Sequence, residues 1–291
     1  VLTPNDSHAE IAVAALQAGK HVLCEKPLSN TVGRARAMYH AARSSGRAHQ
    51  VGFVYRKWPA TQLAREIVAG GEIGEVVHYR GRYFHDYALD PEMPFSWRLD
   101  GRISGGGAGA DIGSHVIDIA RLPRGREIVR VCAAQRTHFP DRPVPGGGRH
   151  PGDVDELTDM LVEFDDGVPG VLQMSWLAGG HKIDLGFAVH GTSGSVEFSS
   201  EQPNELKLYR QTDPARESGF KSIPIGPVHP GFDLFWPVPG MGLGFADGFV
   251  IEAGPNGFLS REPETLALVE LLGLTARLVE ANPAARRRFI V

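Results

Sequence analysis

Over its first 54 residues the chain alternates short apolar runs with segments of helical length, and that alternation leaves few folds open. Val1-Leu2 reads as the end of a buried strand running into Thr3-Pro4-Asn5. Ser7-His8-Ala9-Glu10 has the form of a capping box and opens a helix through Ala18 that stops on Gly19. His21 to Cys24 is a short strand. Asn30 or Thr31 caps a second helix reaching Ser44 and closed by Gly46, and Gln50 to Val54 is a third strand. A β-α-β-α-β order with helices of this length implies parallel strands in a doubly wound sheet, whose ligands bind beyond the carboxyl ends of the strands. Thr3-Pro4-Asn5, Glu25-Lys26-Pro27 and Tyr55-Arg56 are therefore expected to face one crevice.

After a helix from Pro59 to Gly70-Gly71 the period changes. Glu75 to His85 alternates as a long strand, and further strands are expected near Ile128 to Thr137, Glu156 to Phe164, Val168 to Trp176, Ile183 to His190 and Ser195 to Phe198. Asp166-Gly167 and Ser193-Gly194 are hairpin signals between them. Consecutive hairpins without intervening helices mean an antiparallel sheet. Arg142 to Gly152 and Pro224 to Gly244 read as long loops, and a final helix is expected from Pro263 to Ala281. The fold class is thus α/β plus α+β, a partial Rossmann-type parallel sheet over residues 1–56 followed by a domain with a large, mostly antiparallel open sheet over 57–291.

Composition removes several classes of function. Thirty Lys and Arg against 34 Asp and Glu give a net charge of −4, which argues against nucleic acid as a partner. No apolar run is long enough to cross a bilayer. Two cysteines, Cys24 and Cys132, are too few for a disulfide framework and have no metal-ligand spacing, so a reducing, cytoplasmic setting is expected.

The stretch with the most chemistry is Ser104 to Leu122, a glycine-rich approach running into a helix that ends before Pro123. Asp111, His115 and Asp118 fall at i, i+4 and i+7, on one edge of that helix beside an apolar stripe of Ile112, Val116, Ile119 and Ala120. The polar edge should point somewhere wet. Gly113 lowers helix propensity and suggests that a ligand or another helix presses close. An Asp and a His one turn apart suit proton transfer, since the carboxylate orients an imidazole that titrates near neutrality. The same pair also occurs as a solvated surface ion pair. A metal site on Asp111 and His115 lacks a third ligand at a recognisable spacing, so no metal is assigned. His85, His181 and His190 are scattered and read as structural or surface residues.

These residues together carry a resemblance. Thr3-Pro4-Asn5 with His8, Ala18 to Val22, Cys24-Glu25-Lys26-Pro27-Leu28, Val51-Gly52-Phe53, Tyr55-Arg56, Gly70 to Gly74, Trp97-Arg98 and Ser104 to Ile119 resemble the Gfo/Idh/MocA oxidoreductase family over most of Val1 to Glu252. Asp86-Tyr87, Trp97-Arg98 and Leu234 to Gly240 resemble its cyclitol and anhydrosugar dehydrogenase branch. The resemblance implies a Rossmann domain followed by an open-sheet domain, NAD or NADP between them, and oxidation of a hydroxyl on a small polyhydroxylated substrate. It implies that Lys26 hydrogen-bonds the reacting hydroxyl, that His115 removes its proton and that Asp111 orients the sugar. It places Thr3, Pro4, Asn5, His8, Glu25, Lys26, Trp97 and Arg98 on the cofactor and the catalytic three on the substrate, while Tyr83, Asp86 and Tyr87 are of the types that line a sugar pocket, though a sheet edge uses the same residues. It also implies a cis Lys26-Pro27 bond and a homo-oligomer through the open sheet.

One family feature is missing: no G-x-G-x-x-G follows a strand and opens a helix. Gly105 to Ala110 fits G-x-G-x-x-A on paper but follows a loop, and Gly240 to Gly244 fails likewise. The expectation is that two β-α units, on the order of 60 to 75 residues, precede Val1. Two other readings stay open: a non-catalytic relative that senses a sugar or assembles through its sheet, and a cofactor-dependent glycosidase.

Overall fold

The expected parallel ladder forms from very short strands. In the computed structural model, which describes residues 1–232, β1 (Val22–Cys24) pairs in parallel with β2 (His49–Val51), Leu23 opposite Gln50. The Glu25 amide donates to Val1 O at 3.0 Å, so Val1 lies beside β1. Helices α1 (His8–Gln17) and α2 (Val32–Ser45) pack on each other and on these strands around Ala9, Ala12, Cys24 and Met38. Thr31 caps α2, its hydroxyl accepting from Arg34 N at 3.3 Å, and Gly46 ends it at φ +62°. Ser7 does not cap α1 with its side chain. Its hydroxyl lies instead 2.7 Å from Thr3 Oγ1 and 2.8 Å from Pro4 O, tightening the loop before the helix. The third strand also stops earlier than expected, because Val54–Lys57 coils into a 3-10 turn that carries Tyr55 and Arg56 out of the ladder.

After α3 (Pro59–Ala69) comes β3 (Val76–Phe84), the centre of the large sheet. Beyond it lie α4 (Gly101–Ser104), α5 (Ala108–Asp111), α6 (Gly113–Arg121), β4 (Ile128–Arg136), β5 (Asp141–Pro143), β6 (Arg149–Pro151), β7 (Leu157–Phe164), β8 (Pro169–Ser175), β9 (Asp184–Gly191), β10 (Gly194–Ser199), β11 (Glu205–Arg210) and β12 (Lys221–Pro224). The eight-stranded sheet has the order β12-β11-β10-β9-β3-β8-β7-β4, and β3 with β8 is its one parallel pair. Strands β11 and β12 were not foreseen. The expected loop of residues 142–152 contains the β5-β6 hairpin, anchored by a fully buried ion pair in which Arg142 Nη2 meets Glu156 Oε1 at 2.5 Å and Ala88 O at 2.8 Å. The final helix expected over 263–281, and most of residues 224–244, lie outside the described residues. No helix among the described residues is long and apolar enough to cross a membrane.

One face of β3 presents Tyr79, Gly81 and Tyr83 to the helices, and the missing side chain of Gly81 admits Val116 of α6. The single helix expected over the Asp/His stretch is broken at Ile112 into α5 and α6. Its start is pinned from outside: the Asp155 carboxylate accepts from Gly107 N at 2.9 Å and Gly109 N at 2.7 Å, and a Cβ on Gly107 would lie 1.7 Å from Asp155 O. At Gly113 what presses close is not another helix but a strand side chain, Met174 of β8, 3.1 Å from where a Cβ would stand.

The two glycines should therefore respond differently. Gly107→Ala meets backbone at 1.7 Å and should cost several kcal/mol in urea unfolding, whereas Gly113→Ala meets chiefly the flexible Met174 thioether, with Ala108 O no nearer than 3.4 Å, and gains helix propensity, so its change should stay within about 1 kcal/mol.

Candidate active site

The loop after β1 and the end of α5 meet. Lys26 Nζ donates to Asp111 Oδ1 at 2.6 Å and to Asp111 O at 3.1 Å, across 85 positions of sequence. The Lys26-Pro27 bond is cis. With its carboxylate turned to Lys26, Asp111 does not orient His115 as the i, i+4 spacing suggested, and His115 has no carboxylate partner among the described residues. The imidazole stands instead among three rings, with centroids at 4.9 Å from Tyr55, 5.9 Å from Phe53 and 6.0 Å from Tyr83. Burial, helped by the Lys26 ammonium, lowers its pKa to about 3, so it is neutral at physiological pH. Asp118 does not face water either. It is buried, and Arg56 grips it with Nε and Nη2 at 2.6 Å each.

The residues expected on the cofactor divide into two groups. Thr3 and Pro4 are exposed, Arg98 lies 4.5 Å over the Trp97 ring, and Glu25 accepts from Lys26 N at 3.1 Å and stands over Gly52. Asn5 and His8 are buried and engaged with backbone. Asn5 Nδ2 donates to Ser104 O at 2.8 Å, and the His8 ring lies between Thr3 O at 2.8 Å and Pro27 O at 3.1 Å. Their geometry fits holding the loops together rather than touching a ligand. Tyr83 Oη lies 2.9 Å from Tyr55 Oη, and Asp86 is paired with Lys182 Nζ at 2.6 Å.

The sequence places Tyr55 on a loop facing the crevice and reads His85 as structural or surface, and it gives neither a role in the site. His85 follows Tyr83 by two residues, and its Nδ1 accepts from Tyr87 N at 2.9 Å, which leaves the proton of the neutral ring on Nε2. The charge of Asp111 reaches both the His85 ring and the Tyr87 phenol, whose buried hydroxyl has no hydrogen-bond partner among the described residues. The signal was available: the period of two along β3 continues from Tyr83 to His85. Elsewhere, His181, Asp184 and Glu201 bring three ligand atoms within 4.8 Å of one another, but Asp184 is already held by Arg82 and Ser199.

The glycine run of residues 105–110 is unsuited to a phosphate, because a carboxylate already takes the amides of Gly107 and Gly109.

A parallel βαβ layer followed by an open sheet, with a lysine from the first half meeting an aspartate from the second, defines a two-part α/β oxidoreductase architecture. Residues 1–53 match the family described as oxidoreductases with an NAD-binding Rossmann fold, and residues 61–197 match the GFO/IDH/MocA C-terminal domain. The chain belongs to the Gfo/Idh/MocA oxidoreductase family. It is 39% identical to levoglucosan dehydrogenase of Pseudarthrobacter phenanthrenivorans over 87% of this chain and 68% of that one. It is 33% identical to 1,5-anhydro-D-fructose reductase of Ensifer adhaerens, over 79% and 64%. A levoglucosan dehydrogenase solved with NADH and L-sorbose superposes with a TM-score of 0.81 at 41% identity, over 86% of this chain and 66% of that one. The chain thus spans about two thirds of the length of these relatives.

The neutral His115 sets a pH dependence. Its folded value lies below that of an unfolded histidine, about 6.5, so on acidification the unfolded chain takes up the proton first. The stability it contributes is complete above about pH 6.5 and is lost progressively as pH falls towards 3. Urea unfolding between neutral pH and mildly acidic pH should show a larger loss for the wild type than for His115→Asn.

Proposed function

We propose that the protein oxidises a hydroxyl of a small polyhydroxylated ring, a cyclitol, sugar or anhydrosugar, with NAD or NADP. The observation that carries this reading is the Lys26-Asp111 ion pair beside a neutral, ring-enclosed His115. Hydride leaves a carbinol carbon readily only as the O–H proton departs, and a fixed cation beside the oxygen stabilises the developing alkoxide. Lys26 Nζ supplies that cation. His115, unprotonated at rest, accepts the proton, and Asp111 holds Lys26 in place and takes a bond from a second substrate hydroxyl. When bound, the nicotinamide accepts the hydride.

In this reading Thr3, Pro4, Glu25, Lys26, Trp97 and Arg98 line the cofactor, with Asn5 and His8 supporting them from behind. Tyr83 and Asp86 border the substrate. The dinucleotide side ends near residue 56, and residues 57–291 carry the substrate side and the open sheet. The outward sheet face, with His78, Arg80, Arg82, Glu197 and Lys207, is the surface through which copies associate, in a reducing, cytoplasmic setting. The names of the relatives, a levoglucosan dehydrogenase and an anhydrofructose reductase, support the substrate class.

The full-length protein incubated with anhydrosugars, cyclitols and aldoses should form NADH or NADPH with at least one of them. Lys26→Ala and His115→Ala should each lower turnover by roughly 10²- to 10⁴-fold while circular dichroism stays unchanged. Folded variants with near-normal turnover would remove the site.

A further inference from the structure

A general base without a carboxylate beside it must take its orientation from something else. Around His115 that something is aromatic, and Tyr55 is the nearest ring, 8% exposed, with its plane at 88° to the imidazole. Tyr55 is itself held on several sides. Its hydroxyl lies 2.9 Å from Tyr83 Oη, and its ring packs on Trp58 with centroids 4.9 Å apart. The next residue, Arg56, is locked by two 2.6 Å bonds to Asp118, which stands one turn beyond His115 on α6, and Gln62 Nε2 donates to Arg56 O. Asp118 is a buried carboxylate with no part in the proton transfer. Its ion pair joins the turn that carries Tyr55 to the helix that carries His115.

We propose that Tyr55 is a positioning residue for His115: its ring, fastened by the Arg56-Asp118 ion pair and its packing on Trp58, keeps water off the imidazole and fixes the direction in which that imidazole points. The inference rests on His115 being the base in the reading above. An enclosing ring in edge-to-face contact restrains an imidazole without adding charge, which a carboxylate could not do. Among the described residues, the titratable groups that meet the ring are Lys26 from the loop after β1, Tyr55 from the turn after β2 and Tyr83 from β3; Asp111 of α5 is turned to Lys26. Removing the enclosure should therefore let water in and restore ordinary titration.

The test is a proton-carbon NMR titration of the histidine-labelled full-length protein, with the His115 signal assigned by its absence in His115→Asn. In the wild type and in Tyr55→Phe, which keeps the ring, that signal should not move between roughly pH 5 and 8. In Tyr55→Leu it should titrate with a midpoint rising towards about 6.5. The double variant Arg56→Met with Asp118→Leu should behave as Tyr55→Leu does. It leaves no charge buried alone, so it carries the measurement if Tyr55→Leu does not fold. Both should also lower kcat for the polyol by roughly tenfold or more, with KM within about threefold, as expected for a base moved out of line. A His115 signal that stays still in the folded variants, or a Tyr55→Phe shift as large as that of Tyr55→Leu, would overturn the inference. A wild type that oxidises no polyol while the NMR behaves as described would sink the dehydrogenase reading and leave the role of Tyr55 standing.

Discussion

The contact between Lys26 and Asp111 decides the electrostatics of everything around it. A lysine whose side chain is only 17% exposed loses much of its hydration, and two bonds to one aspartate, one of them charge-assisted at 2.6 Å, offset that loss. Because the carboxylate is engaged there, it is not available to His115. The imidazole is left with burial and a neighbouring cation, and both push its proton off. One ion pair therefore leaves two groups prepared: an ammonium fixed in direction and an imidazole that is unprotonated at rest.

That contact requires the two halves of the chain to approach backbone to backbone. The approach is made at a glycine. A Cβ on Gly105, at φ +85°, would lie 2.5 Å from Asn30 O, and within the second half one on Gly107 would run into Asp155 O. Around them Asn5 Nδ2 donates to Ser104 O at 2.8 Å and Asn30 Nδ2 to Arg102 O at 2.6 Å, so the loops of the parallel layer hold the carbonyls at the end of α4. From the other side the Asp155 carboxylate holds the first amides of α5. The glycine-rich run is thus a docking strip, and its resemblance on paper to a phosphate loop comes from the same physical property, backbone amides that a carboxylate can reach.

Local pattern made the elements legible and left their partners hidden. The capped α2, the alternation along β3 and the hairpin turns all depend on neighbours in sequence, and the strands from β7 to β10 lie close to where period and turn residues put them. Asp111 is different. The i, i+4 rule says that it can reach His115, but the rule carries no information about a lysine 85 positions away whose ammonium competes better. The same limit explains Asp118, whose spacing suggests a solvated edge until Arg56 arrives from another loop, and Arg142, which looks like part of a polar loop until Glu156 and two backbone carbonyls close around it. Strand β12 carries little pattern, being four residues long at the edge of the sheet with no buried side chain, whereas the alternating buried Leu206 and Leu208 of β11 did offer a signal of period two.

Lys26 acts on the proposed reaction in two opposing ways. Its charge makes the substrate oxygen easier to deprotonate and makes the imidazole that must receive the proton harder to charge. The two effects do not cancel, because they act at different ranges. The oxygen would meet the ammonium through a direct hydrogen bond, whereas the imidazole feels it as a secondary influence behind burial. Burial is the larger cause, and a substrate entering the crevice changes that environment by placing a hydroxyl dipole and then an alkoxide against the ring. The base is therefore weak towards bulk water and becomes effective only when the negative charge that pairs with its imidazolium is created beside it. An enclosure of phenylalanine and tyrosine rings is suited to that behaviour, since it excludes solvent without supplying a permanent anion that would protonate His115 before substrate arrives.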